Sequence, residues 1–133
     1  MRTAEAFLLA AIALAWSAGA AHARPGDHEA GRLIFKQQCA ACHGKGGKGD
    51  GPAAVALNPK PADLSDPARL GTRTDEELIA VVSKGGAVRG LSPVMPAFEG
   101  SLSPDQIRQV VAYVRALAAT PTTGTTILSY STV

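Results

Sequence analysis

Apolar and polar residues recur with a helical period in three parts of the chain. The clearest stripe has apolar residues three or four positions apart near the C-terminus, which predicts an amphipathic helix. Its members are Ile107, Val110, Val111, Val114, Leu117 and Ala118. A shorter stripe of Leu78, Ile79 and Val82 predicts a second helix, and a third is predicted from His28 to about Cys39. No alternation typical of β-strands precedes the last residues, so we expect an all-α domain.

Helix-start signals agree with these stripes. Thr74 and Glu77 have the spacing of a capping box, in which each side chain accepts a hydrogen bond from the other residue's backbone N–H. Ser103 and Gln106 have the same spacing, and Pro104 between them suits the first helical position. Both helices therefore have a predicted first residue.

The remaining helix ends are predicted from single residues. Asp27 is a candidate N-cap for the first helix. Gly85-Gly86 is expected to close the helix that begins after Thr74. Asp66-Pro67 predicts a further short turn of helix that reaches Leu70.

The first 23 residues have the pattern of an export signal. After Arg2, an apolar run from Ala6 to Trp16 is too short for a membrane-spanning helix of roughly 20 residues. Ala21-His22-Ala23 follows as an A-x-A cleavage site. We interpret residues 1–23 as a secretory signal peptide, with Arg24 as the first mature residue. An uncleaved membrane anchor is the alternative.

Composition narrows the class of protein. A chain of 133 residues suits one domain, and a net charge of +2 without a dense Lys/Arg run argues against a nucleic-acid-binding protein. The hydrophobic fraction of 46% argues against intrinsic disorder, but aromatic residues make up only 5%. Such a chain has few large side chains to fill a core, so a bound apolar cofactor would help it fold.

The two cysteines indicate which cofactor this is. They occur in Cys39-Ala40-Ala41-Cys42-His43, which has the C-x-x-C-H spacing of a c-type haem attachment site. Two thiols separated by two residues on a helical turn match the two vinyl groups of haem, and the following histidine can bind the iron. We therefore predict one covalently attached haem c, bound through Cys39 and Cys42, with His43 as an iron ligand.

Three other interpretations of the cysteines compete with haem attachment. A thioredoxin-like redox site requires a βαβ context, which the pattern does not show. A zinc site requires four ligands, and only His22 and His28 remain as further nitrogen donors. A plain disulfide between Cys39 and Cys42 is possible but leaves His43 without a role.

Met95 is the candidate for the second iron ligand. It lies in a segment with Pro93 and Pro96, and the following proline disfavours helical geometry at Met95 itself. A loop stiffened in this way can hold a thioether at a fixed position. A core-filling methionine is the simpler interpretation of most methionines, and His28 is the rival ligand.

The chain from about Gly26 to Leu117 resembles a small bacterial class I cytochrome c with one haem. The resemblance rests on several motifs in order. These are Gly31-x-x-x-Phe35, Cys39-x-x-Cys42-His43-Gly44, Gly47-x-Gly49-Asp50-Gly51-Pro52, Leu57-x-Pro59-x-Pro61-x-Asp63-Leu64, Met95-Pro96-Ala97-Phe98 and Ala112-Tyr113-Val114-Arg115-x-Leu117. The family implies an all-α fold in which helices surround one covalently bound haem, here over residues 24–119.

The resemblance also implies roles for individual residues. His43 and Met95 would be the two axial iron ligands, and Gly31 would let Tyr113 pack closely across the first helix. A proline carbonyl would accept the Nδ1–H of His43. Pro52 is the best match for this acceptor by distance along the chain, and Pro59 is its competitor.

The family's tryptophan near a haem propionate has no counterpart in this chain. Arg69 and Arg73 are candidates for the propionate contacts by charge alone. Residues 120–133 are rich in Thr and Ser and are expected to form a loose C-terminal tail.

With both axial positions filled, the expected function is single-electron transport in the periplasm, without enzyme activity. The protein would be a monomer without a transmembrane segment in its mature chain. It would exchange electrons with redox partner proteins of unknown identity. A cytochrome subunit docked in a dehydrogenase or oxidase complex is the alternative. A ligand-binding sensor or a peroxidase is a third class, and it requires an open iron position.

Partner choice is weakly encoded in the charges. Four lysines flank the attachment motif: Lys36, Lys45, Lys48 and Lys60. We favour an ordinary solvated surface as their explanation. A weakly basic ring that steers an acidic partner is the alternative.

Overall fold

The computed structural model describes residue 24 and residues 26–119, and this part of the chain is helical without a β-strand. The α-helices in chain order are α1 (Asp27–Gln38), α2 (Ala40–His43), α3 (Pro67–Gly71), α4 (Asp75–Lys84) and α5 (Pro104–Ala119). Two 3-10 helices, Pro52–Ala56 and Gly86–Arg89, lie in the connections. The all-α prediction is confirmed. The predicted signal peptide and the predicted tail lie outside the described residues.

The core forms where α1 packs against α5. Phe35 of α1 and Val110 of α5 are 2% and 1% exposed, and the predicted α5 stripe supplies much of the buried surface. The Phe35 and Tyr113 rings meet with centroids 5.2 Å apart at an interplanar angle of 58°. Such tilted aromatic contacts add to the stabilisation that area burial provides. The described core therefore has few large side chains, with one aromatic pair near its centre.

Gly31 allows the two helices to come this close. A Cβ at Gly31 would overlap the main-chain carbonyl of Gln109 and would lie 3.0 Å from the Cβ of Tyr113. Only a residue without a side chain fits between the helix backbones here. The close packing of Gly31 and Tyr113 that the family resemblance implies is confirmed.

Both capping boxes are present. The backbone N–H of Glu77 donates to Thr74 Oγ1 at 3.2 Å, and the N–H of Thr74 donates to Glu77 Oε2 at 3.0 Å. Ser103 and Gln106 make the same reciprocal pair at 2.8 and 3.2 Å. These contacts satisfy backbone donors that helix ends leave unpaired, so the first residues of α4 and α5 are as predicted.

Two details of the helices differ from the prediction. Asp27 is the first residue of α1 and Gly26 is its N-cap, while the Asp27 carboxylate accepts a hydrogen bond from the backbone N–H of Arg24 at 2.7 Å. The most buried apolar side chain of α4 is Val81, which the predicted stripe omitted. In contrast, Asp66 caps α3 by accepting from the N–H of Ala68 at 2.9 Å, as expected.

Arg115 joins α5 to the connection between α3 and α4. Its guanidinium donates to the carbonyls of Leu70 and Arg73 at 2.6 and 2.5 Å, and to Asp75 Oδ1 at 2.8 Å. The planar guanidinium presents several donors in a fixed arrangement, which a lysine cannot reproduce. Arg115 therefore holds the end of α3 and the start of α4 against α5.

We predict that Gly31→Ala destabilises the protein, because the added Cβ must separate α1 from α5. Overpacking of this kind lowers the free energy of unfolding by about 1–3 kcal/mol. Chemical denaturation of the purified protein measures the change. Gly71→Ala is the control, since Gly71 is also helical and has no neighbouring atom within 4 Å of an added Cβ. Equal stability of the two variants would contradict the proposed close contact.

Candidate functional site

Cys39, Cys42 and His43 are brought together by one turn of helix. Cys39 ends α1 and also caps α2, and the N–H of His43 donates to the Cys39 carbonyl at 2.9 Å. Cys39, Cys42 and His43 are all half-buried, and no disulfide joins the two cysteines. Because α2 directly follows the helix that packs on α5, the three side chains lie next to the most closely packed part of the described fold.

The cysteines do not have the character of a thiol redox centre. Burial, with a smaller contribution from the nearby Cys42, raises the pKa of the Cys39 thiol to about 11. Reactive dithiol sites instead hold at least one cysteine at a lowered pKa, because the thiolate is the nucleophile. Among the described residues, no group of three or more His, Cys, Asp or Glu side chains could hold a metal ion. The thioredoxin-like and zinc interpretations therefore find no support.

His43 is oriented by a main-chain carbonyl. Its Nδ1 lies 3.1 Å from the carbonyl oxygen of Ala62, and because a carbonyl can only accept, Nδ1 carries the proton. Nε2 then keeps its lone pair free. Burial lowers the pKa of His43, an effect that the hydrogen bond to Ala62 partly opposes. A neutral imidazole that donates through one nitrogen is the usual form of a metal-binding histidine.

The predicted identity of this acceptor was wrong. Neither Pro52 nor Pro59 pairs with His43; the acceptor is Ala62, further along the chain. Pro52 instead begins the first 3-10 helix and is exposed. The physical reason is that the connection after His43 folds back over a longer distance than the proline spacing suggested. Any residue has a carbonyl, so the acceptor leaves no mark in the side-chain pattern.

Glycines in the following loop bring Ala62 into place. The N–H of Gly49 donates to the His43 carbonyl at 2.8 Å, and the N–H of Leu64 donates to the Gly47 carbonyl at 2.6 Å. Gly49 has a φ of 75°, and a Cβ there would overlap the Pro61 carbonyl and lie 3.4 Å from the Ala62 oxygen. The loop therefore packs backbone against backbone beside the His43 acceptor.

The residues after Ala62 form a small rigid turn. Asp63 accepts hydrogen bonds from the N–H of Ser65 at 2.8 Å and from its hydroxyl at 2.6 Å. These two bonds hold the pKa of Asp63 below its ordinary value. Such side-chain-to-backbone bonds stabilise turns locally. They restrict the segment that presents the Ala62 carbonyl.

Pro52 lines a shallow surface depression together with residues on either side of the attachment motif. The depression has a volume of about 560 Å³ and also includes Lys36, Lys45 and Asp50. None of the predicted iron ligands lines it. All four lysines of the predicted basic ring are exposed. Their position is compatible with either interpretation of their charge.

Met95 lies on a different part of the chain, in the loop between the second 3-10 helix and α5. Its side chain is half-buried. Its carbonyl accepts a hydrogen bond from the N–H of Gly86 at 3.1 Å, and its own N–H donates to the Ser92 carbonyl at 3.3 Å. The backbone of Met95 is therefore anchored to Gly86, two residues after the end of α4, whereas its role as an iron ligand remains a prediction.

The rival ligand His28 has a different environment. It is exposed in the first turn of α1, and its ring packs against Tyr113 with centroids 5.4 Å apart. It precedes Cys39 by eleven residues, which is roughly 16 Å along a helix. The structure therefore does not bring His28 to the attachment segment.

The two candidate arginines differ in exposure: Arg69 is exposed and Arg73 is half-buried. Their contacts with the haem propionates remain a prediction.

The donor set fits a c-type haem. Two half-buried thiols on one helical turn, followed by an imidazole whose Nδ1 is committed to a carbonyl, are the groups that covalent attachment and iron binding need. Sequence reasoning missed Ala62 and the contribution of Gly49. Gly49 belonged to a motif of the family resemblance, so that motif was the available signal.

The family comparison agrees with this site. Residues 26–114 match the family described as cytochrome c oxidase, cbb3-type, subunit III. Cytochrome c6 from Nostoc sp. is 38% identical over 114 residues, which cover 86% of this chain and 92% of that protein. The cbb3-type cytochrome c oxidase subunit FixP of Bradyrhizobium diazoefficiens is 36% identical over 91 residues, which cover 68% of this chain. The match spans only 28% of the FixP subunit.

A solved structure shows the same fold. Cytochrome cL from Methylophaga aminisulfidivorans gives a TM-score of 0.52 at 22% identity, over 68% of this chain and 52% of that chain. The chain belongs to the cytochrome c family, as a small class I c-type cytochrome. It accordingly carries covalently bound haem c.

We predict that Gly49→Ala weakens the hydrogen bond from His43 to Ala62, because the new Cβ displaces the Pro61–Ala62 backbone. With a weaker hydrogen bond, the imidazole gives less electron density to the iron. Ferric iron is then stabilised less, so the reduction potential should rise. Redox titration of the haem-loaded protein measures this shift. Gly90→Ala is the control, since Gly90 has a φ of 66° but no atom within 4 Å of an added Cβ. An unchanged potential in Gly49→Ala would contradict this role of the loop.

Proposed function

We propose that this protein is a periplasmic single-electron carrier with one haem c and with His43 and Met95 as axial iron ligands. The observation that carries the proposal is the hydrogen bond from His43 Nδ1 to Ala62, which leaves Nε2 free directly after the two cysteines. The bound haem supplies reversible one-electron chemistry at its iron. The protein supplies attachment, ligands and a controlled environment.

Each residue has a distinct task in this proposal. Cys39 and Cys42 hold the cofactor through thioether bonds, so it cannot dissociate. His43 donates through Nε2, while Ala62 fixes its tautomer and ring orientation. The thioether of Met95 is a soft donor that favours ferrous iron and so raises the reduction potential. With both axial positions occupied, small molecules have no open site, so we infer no enzyme activity.

The likeness to cytochrome c6 supports a separate carrier over a subunit. The match extends over 92% of that protein, whereas it covers 28% of the FixP subunit. The likeness to FixP and to the cbb3-type family keeps a docked subunit as the second candidate. In both cases redox partner proteins supply and remove the electron. None of the described helices is long and apolar enough to cross a membrane.

The domain boundaries belong to the same proposal. Residues 1–23 act as the signal peptide, 24–119 form the cytochrome domain and 120–133 form the C-terminal tail. Export to an oxidising compartment would favour a disulfide between two neighbouring cysteines. Thioether bonds to haem use both cysteines and so prevent that disulfide.

We predict that the purified protein has the mass of a chain beginning at Arg24 plus one haem. The thioether bonds should keep the haem attached through denaturation and extraction with acidified solvent. Intact mass spectrometry of the denatured protein checks both points. A chain that retains residues 1–23 would contradict the signal peptide, and freely extracted haem would contradict covalent attachment.

We predict that the reduced wild-type protein does not bind carbon monoxide promptly at neutral pH, because Met95 occupies the sixth position. Met95→Ala should bind it stoichiometrically, should lose the red absorption band of thioether-bound ferric iron and should have a lower reduction potential. Absorption spectra of the two proteins are the measurement. Prompt binding by the wild type would instead favour a ligand sensor or a catalytic haem protein.

We predict that the mature protein leaves the periplasm on osmotic shock and elutes as a monomer, since a diffusible carrier has no permanent partner. Size-exclusion chromatography with haem absorbance as the readout measures this. Retention in a larger haem-containing complex would favour the docked-subunit alternative.

A further inference from the structure

The end of α4 is in unusually close contact with the loop that carries Met95. The last helix residue is Lys84, and the next two residues are the buried glycines Gly85 and Gly86. The N–H of Gly86 donates to the Met95 carbonyl at 3.1 Å. The loop backbone therefore lies directly on the glycine pair.

The lack of side chains at both positions makes this contact possible. A Cβ at Gly85 would lie 2.8 Å from the Met95 carbonyl oxygen and 3.2 Å from the backbone nitrogen of Ala97. A Cβ at Gly86 would overlap the Ser92 carbonyl and lie 3.3 Å from the Cβ of Met95. These obstacles are backbone atoms or the first side-chain atom of Met95, which cannot rotate away. A side chain at either glycine would have to displace Met95.

The same loop also completes the hydrogen bonding of α4. The N–H of Phe98 donates to the carbonyls of Val82 and Ser83 at 3.1 and 3.0 Å, and the N–H of Glu99 donates to Ser83 at 3.0 Å. Helix ends leave their last carbonyls without intrahelical partners, so these contacts bind the loop to the helix. The chain that follows Met95 is therefore held by α4.

We propose that Gly85 and Gly86 are positioning residues for Met95, and that their contact with its backbone sets how firmly the thioether occupies the sixth iron position. The inference rests on the proposed function, in which Met95 is an axial ligand. The two glycines touch neither the iron nor the haem in this proposal; they act only through the Met95 backbone. Substitution at either position loosens the ligand while the cysteines and His43 keep the haem attached.

Gly86→Ala is the principal test, because Gly86 has no left-handed backbone and the substitution adds only steric overlap. An overpacking cost of the usual size changes an equilibrium by roughly fivefold to a hundredfold. The imidazole concentration that half-displaces the ligand from the ferric protein should therefore fall by about tenfold, and the thioether absorption band should weaken. Gly85→Ala should act in the same direction.

Gly90→Ala is the matched control, since it has left-handed backbone strain like Gly85 but open space around the added Cβ. The expected result is wild-type imidazole binding in this variant. The inference would be overturned if Gly86→Ala, Gly90→Ala and the wild type needed the same imidazole concentration for half-displacement. It would also be overturned if that concentration fell equally in both variants. If Met95→Ala itself left the absorption band unchanged, the proposed function would fail separately.

A measurement on the wild type covers the case in which the variants do not accumulate. Hydrogen exchange of the Gly86 and Phe98 amides is compared with and without saturating imidazole. Displacement of Met95 should accelerate exchange at both amides, because their hydrogen bonds belong to the same loop contact. Unchanged protection of these amides would show that the contact and the ligand are independent, and would overturn the inference.

Discussion

The close crossing of α1 and α5 is the constraint on which the rest of the structure depends. Gly31 lets the two backbones approach, and the aromatic contact of Phe35 and Tyr113 fills the space beside this crossing. Cys39 is both the C-cap of α1 and the N-cap of α2, so the attachment segment follows α1 without a linker. The packing of α1 against α5 therefore also fixes the position of the residues that bind the cofactor.

Beyond this crossing, the site is assembled from main-chain contacts between loops. Gly49 packs beside the carbonyl that orients His43, and Gly85 and Gly86 pack against the backbone of Met95. A chain with few aromatic side chains can position its ligands this way, because a backbone contact has no side-chain rotamers to restrict. The two predicted axial ligands are each supported by glycines from another segment.

Local features of the fold could be predicted from the sequence, and features that join distant segments could not. The capping box of Thr74 and Glu77 involves residues three apart, so its pattern is visible in the chain. The attachment motif is equally local. The carbonyl of Ala62 was missed because every residue has a carbonyl, and its choice depends on the path of a long loop. The predictions for Met95 and for both chain ends rest on sequence and family resemblance.

Arg115 has a consequence for how the domain responds to its surroundings. Two of its three partners are the neutral carbonyls of Leu70 and Arg73, and only the third, Asp75, is an ion. Added salt screens the attraction between exposed charges, but it acts much less on a short hydrogen bond to a part-buried carbonyl. The junction of α3 and α4 is therefore held mainly by contacts that depend little on ionic strength.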